Sequence, residues 1–125
     1  MNDDEIIELL AKLKYQVETL GQTIDHKTYP VEALILSKDW GPSELDKAHD
    51  IFERWDKNLG NGGKMEGGLF EHDFQEALNV NYQGLKSIVL AFYRNSQWTS
   101  VCEAYVDSFG KSPSVEFFEI ANRRR

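Results

Sequence analysis

"DDEIIELLAKLKYQVETLGQTI", Asp3 to Ile24, is the stretch on which the fold class turns. Ile6, Leu10, Leu13, Val17, Leu20 and Ile24 recur at alternating steps of four and three residues. That is the spacing of a helical heptad seam, and Leu9 broadens it. Asp3, Asp4 and Glu5 stand at its start, where carboxylates complement the positive end of the helix dipole. An isolated helix of about 20 residues is marginal in water, so the stripe needs something to pack against. Two partners fit the pattern equally: the rest of this chain, or the same helix in a second copy.

Downstream, the periodicity stays helical. In "TYPVEALILSKDWGP", Thr28 is the expected N-cap, Tyr29 and Pro30 open the helix, and Gly41-Pro42 closes it. Val31, Ala33, Leu34, Ile35 and Leu36 are apolar almost all round, the mark of a buried short helix. Ser43 is the expected cap of the next helix, whose apolar face carries Leu45, Ala48, Ile51, Phe52, Trp55 and Leu59. "LFEHDFQEALNV" groups Leu69, Phe70, Phe74, Ala77 and Leu78 on one face. Two apolar helices follow, joined by the short turn "NSQ", which predicts an antiparallel pair. The tail from Pro113 to Arg125 predicts a short last helix capped by Ser112 or Ser114, its terminal arginines suiting a helix C-terminus. No alternation of period two is long enough for a strand. The expectation is one all-α domain over residues 1–125: a compact multi-helix bundle with a long heptad-patterned first helix and a C-terminal antiparallel pair.

Composition bounds the partners. The chain of 125 residues has a formal net charge of −7, and residues 1–58 carry 13 acids against 7 bases. Nucleic-acid binding relies on clustered Lys and Arg, so it is not expected. No apolar run approaches the about 20 residues that span a bilayer. The acidic start "MNDDEII" lacks the basic region of a secretory signal. The single cysteine, Cys102, has no internal partner for a disulfide, which suits a reducing cytoplasm.

Candidate chemistry is sparse. "WDKNLGNGGKMEGGLF", Trp55 to Phe70, holds five of the nine glycines. Read as a calcium loop from Asp56, it places Gly60 and Asn61 where an oxygen ligand and the invariant glycine belong, and Gly67 in place of the closing glutamate. Read as a phosphate loop, Lys64 is followed by Met65 and not by Ser or Thr. Residues 60–68 therefore read as a flexible glycine-rich connection. His49, Glu53 and Asp46 share a helix side, and His72 and Asp73 follow later; such scattered ligands define no metal centre. Cys102 sits in an apolar pattern, so an inert buried thiol is expected. Among the abundant aromatics, Trp40 and Trp98 lie at element boundaries and are candidates for interface anchors.

The segments Tyr29 to Glu53 and Leu90 to Phe109, with the preceding heptad helix, resemble the small YhaI-like proteins of Gram-positive bacteria. Tyr29-Pro30 with Ala33-Leu34, then Ala91, Tyr93, Trp98 (aromatic in that family), Tyr105 and Phe109 carry the resemblance. It implies a compact all-helical protein and brings no catalytic residues with it. The glycine-rich stretch and the "FFEIANRRR" tail depart from the family pattern.

The residues disclose no catalytic set, no cofactor and no metal site. The expected function is that of a non-enzymatic, self-associating protein-interaction module. Its seam would be Ile6, Leu10, Leu13, Val17, Leu20 and Ile24, and its partner a second copy. Two other readings stand beside it: an acidic inhibitor or antirepressor that binds an unidentified protein, and a small helical metal- or ligand-binding protein built on His49, Glu53, His72 and Asp73.

Overall fold

A computed structural model describes residues 1–123. It is all-helical, as the periodicity predicts: α1 (Asp3–Gly21), α2 (Pro30–Lys38), α3 (Pro42–Gly60), α4 (Gly67–Leu78), α5 (Tyr82–Arg94) and α6 (Thr99–Asp107) are followed by a 3₁₀ turn (Val115–Phe117) that runs into the one-turn α7 (Phe118–Ala121).

The bundle body is built from α2 through α7. α2 lies on α5, α3 on α4 and α6, and α5 on α6. Its centre is a run of aromatic edge-to-face contacts. Phe52 meets Phe70 and Phe74 with ring centroids 5.9 and 5.4 Å apart, and Phe70 meets Phe74 at 5.2 Å. Phe52, Phe70, Phe74, Phe92 and Tyr105 are all fully buried. Each contributes its large apolar area plus roughly 0.5–1.5 kcal/mol per ring pair.

The helix ends explain the boundaries. Pro30 occupies the first position of α2 and Tyr29 is its N-cap, one residue later than Thr28. The Thr28 hydroxyl instead donates to Asp25 Oδ2 at 2.6 Å. α3 begins at Pro42, so Ser43 lies inside its first turn and Gly41 is the cap; the Gly41 N–H donates to Glu44 Oε2 at 2.8 Å. In both helices proline, which has no N–H to orphan, takes the first position and moves the cap to its predecessor. Where asparagine precedes a helix the side chain caps it directly: Asn2 Oδ1 accepts from the Glu5 N–H at 2.9 Å, and Asn81 Oδ1 from the Gly84 N–H at 2.8 Å.

The glycine-rich stretch is mostly helix and helix stop. α3 runs through Gly60 and α4 starts at Gly67, which shortens the connection to residues 61–66. Gly63 N–H bonds to the Asn58 carbonyl and Gly62 N–H to that of Leu59, at 2.9 and 3.2 Å, with Gly62 at φ 87°. This is a Schellman termination, in which glycine fills the left-handed position without a Cβ penalty. Two more helices end the same way without glycine, through Asp39 (φ 56°) after α2 and Ser96 (φ 57°) after α5.

The C-terminal segment is part of the core. Phe117 and Ile120 are fully buried. Ion pairs flank them: Lys86 with Glu116 at 3.5 Å, Arg94 with Glu119 at 2.9 Å, and Arg123 with Glu103 and Asp107 at 2.9 and 2.8 Å. Burial of Phe117 and Ile120 stabilises by roughly 1.5–3 kcal/mol each. Exposed pairs add about 0–1 kcal/mol, so the apolar anchors dominate. Of the three terminal arginines, Arg123 bonds to the Ile120 carbonyl near the end of α7, as a helix C-terminus favours. Arg124 and Arg125 lie outside the described residues.

Candidate functional site

The first helix stands apart from this body. α1 runs for 19 residues and buries none of its side chains. Ile6, Leu9, Leu13 and Val17 are 41–47% exposed, and Ile7, Leu10 and Leu20 are 60–66% exposed. These are values for a helix with a bare apolar face. α1 meets the body chiefly at α2, and the contact is made by its last turn, where Gly21 lies against Leu36. The rest of the chain therefore leaves the seam uncovered.

The seam is shorter than the periodicity indicates. α1 ends at Gly21, and Ile24 lies in the turn that follows, its N–H bonded to the Gly21 carbonyl at 3.3 Å. Glycine at the last position and the Thr23 hydroxyl bonded to the Leu20 carbonyl at 2.7 Å draw the chain off the helical path. Ile6, Leu10, Leu13, Val17 and Leu20 keep the heptad register on α1.

Where α1 meets α2, an open groove of about 480 Å³ forms. Val17 and Gly21 of α1 line one side, and Ala33, Ile35, Leu36 and Trp40 the other. Glu18, His26 and Asp39 stand at its polar rim. Trp40 is half-buried and packs on the core with one edge in this groove. Trp98 is tied into the fold: its indole N–H donates to His49 Nδ1 at 3.0 Å, and its ring stacks parallel to Phe52 at 6.3 Å. Trp98 holds φ 54°, a left-handed conformation that costs a bulky residue energy. The indole's stacking and hydrogen bond hold it there.

Of the polar residues that suggested metal or catalytic chemistry, His49, Glu53, His72, Asp73 and Cys102 have structural partners. His49 Nδ1 accepts from Trp98, which fixes the neutral ring's proton on Nε2. Asp73 Oδ2 accepts from the Trp55 indole at 2.8 Å. Glu53 pairs with Lys57 at 3.3 Å and His72 with Glu76 at 3.8 Å, both on exposed helix faces. Among the described residues, no three His, Cys, Asp or Glu side chains gather as a metal set. The Cys102 thiol is fully buried and donates to the Val89 carbonyl at 3.5 Å. Desolvation pushes its pKa far above the ordinary thiol range, so the nucleophilic thiolate is suppressed. Tyr105 is likewise pushed up, by burial first and then by its hydrogen bond to Glu71 Oε2 at 2.6 Å.

Sequence reading missed the groove, because it joins residues from two helices that the heptad pattern does not relate to each other. Among the described residues, no helix is long and apolar enough to cross a membrane. No protein-family model, no curated protein and no solved structure matches this chain.

Proposed function

We propose that this chain is a non-enzymatic, self-associating helical module and that α1 is its association element. The observation that carries the reading is a 19-residue helix whose apolar stripe has no cover from its own chain. On the order of 600 Å² of apolar side-chain surface lies along that stripe, at or above the largest patch of a typical monomer. A helix of that length is marginal alone, so its persistence favours a partner that covers it. The heptad register of Ile6, Leu10, Leu13, Val17 and Leu20 is that of a helix–helix seam. A second copy supplies the matching seam, and closed symmetric pairing is the commonest solution. The body, with its polar groups engaged in fold-holding bonds, acts as the rigid mount.

The setting is cytoplasmic in this reading, in keeping with one buried, unreactive thiol. Membership of the YhaI-like group belongs to the same proposal. Sedimentation equilibrium over a dilution series tests it. A mass at a multiple of the chain that falls to one chain on dilution supports self-association. A single-chain mass at the highest concentration reached removes it and moves the search to a different protein as the cover of α1.

A further inference from the structure

The stripe on α1 is not uniform along its length. With Leu10 and Val17 at heptad position a and Ile6, Leu13 and Leu20 at d, the first heptad also carries Ile7 at e and Leu9 at g. The later flanking positions are Lys14, Gln16 and Gly21. A two-helix seam covers only a and d, so a face that adds e and g needs a second apolar surface beside the partner helix. The molecule carries such a surface at the opposite end of the same helix, in the groove walled by Val17, Gly21, Leu36, Ile35 and Trp40. Ile6 and Leu20 are about 21 Å apart along the axis at 1.5 Å per residue. A parallel pair would set the broad end beside its twin, far from either groove. An antiparallel pair brings the broad end of each copy over the groove of the other, twice by symmetry.

The acidic N-terminal turns bear on the direction of pairing. Asp3, Asp4, Glu5 and Glu8 crowd the first turns of α1. Parallel pairing gathers both sets at one end, whereas antiparallel pairing separates them by more than the Debye length of about 8 Å. It also opposes the two helix dipoles head to tail. Area agrees too. A stable pair buries about 800 Å² per partner, more than the stripe of α1 supplies alone, and the groove adds apolar surface beside it. The same pairing brings Lys14 of the two copies together near the dyad and lays the acidic first turn beside Glu18 and Asp39 at the partner's groove rim, so charge does not decide between the two arrangements. The apolar floor, not ion pairing, therefore holds the helix.

Resting on the self-association proposed above, we infer that two copies pair antiparallel through α1. Leu10 of one copy packs against Leu20 of the other, and Leu13 against Val17. Ile6, Ile7 and Leu9 of each copy overhang the end of the partner's α1 and seat in its α1–α2 groove.

Disulfide trapping in the full chain tests this. Leu10→Cys and mass-tagged Leu20→Cys proteins are mixed and mildly oxidised; native Cys102 is fully buried and stays out of the reaction. The expected product is the mixed Leu10–Leu20 dimer, with little of either homodimer. Homodimers of each variant would establish the parallel arrangement and overturn the proposal. So would a mass of two chains with no disulfide of any kind. Leu36→Glu, outside α1 and 40% exposed, should raise the dissociation constant at least tenfold with the fold intact. An unchanged constant overturns the role of the groove. A single-chain mass for the unsubstituted protein is a different failure, that of self-association itself.

Discussion

Replacing Leu13 and Val17 together with glutamate separates association from folding. In the single chain both side chains are about half exposed, at 47% and 46%. Covering the remaining half of each gains roughly 1 kcal/mol, given about 1.5–3 kcal/mol for full burial. Two side chains in each of two copies put roughly 4 kcal/mol at stake, about a thousandfold in the dissociation constant. Four carboxylates in an apolar seam add further desolvation cost, so a thousandfold weakening is a lower bound. The body should be indifferent, because exposed substitutions away from the core stay within about 0.5 kcal/mol. Glutamate is also a good helix former, so no propensity penalty confuses the result. Sedimentation equilibrium reads the mass and near-ultraviolet circular dichroism reads the packing around Trp55 and Trp98. The expected outcome is a single-chain species with native aromatic signals and reduced far-ultraviolet helicity as α1 frays. An unchanged oligomer mass with native packing refutes the seam. Loss of the aromatic signals refutes the independence of α1 from the body.

Four further outcomes follow from the body. Ile120→Ala should lower unfolding free energy by about 2–5 kcal/mol in denaturant titration, since its side chain is fully buried beneath the C-terminal ion pairs. Ser96→Gly should raise stability by a few tenths to about 1 kcal/mol, because Ser96 sits at φ 57° in a helix-stop position that glycine fills without strain. Native Cys102 should resist a thiol reagent at pH 8 and react only on unfolding, so prompt stoichiometric labelling contradicts its burial. Finally, Cys102 and Tyr105 both have pKa values raised in the folded state. Their contribution is fully present below the unfolded values, near 8.5 and 10, and is lost as pH rises past them. The slope is at most about 1.4 kcal/mol per pH unit for each group. Denaturant midpoints at pH 8 and pH 11 should fall less in Cys102→Ala/Tyr105→Phe than in the parent; equal falls contradict the assignment.

The six main helices were legible because each carries an apolar face at helical spacing, and Phe52, Phe70, Phe74, Phe92 and Tyr105 fall on those faces. The boundaries were less so. Thr28 and Ser43 have good capping side chains, yet prolines at positions 30 and 42 take the first helical position and assign the cap to Tyr29 and Gly41. Composition records the permissiveness of the glycine stretch but not the use made of it, which at Gly62 is the left-handed stop position of α3. Periodicity gave the register of α1 but not its surroundings. A heptad states which side chains need cover and is silent on what covers them, and a stripe that continues to Ile24 looks the same whether or not Gly21 ends the helix. The groove was beyond sequence reading altogether, since Val17 and Leu36 come to line one groove only through the path of the connection at residues 22–29.

That α1 lends no side chain to the core has a consequence for how such a chain diversifies. Most proteins sit close above a stability threshold, and substitutions that alter partner choice commonly draw down that reserve. Here positions 6 to 20 of α1 are spared the constraint, because residues without shared contacts vary nearly additively. Under the self-association proposed above, lineages carrying the same body could drift apart in the seam alone, and duplicated copies could stop recognising each other without either becoming harder to fold.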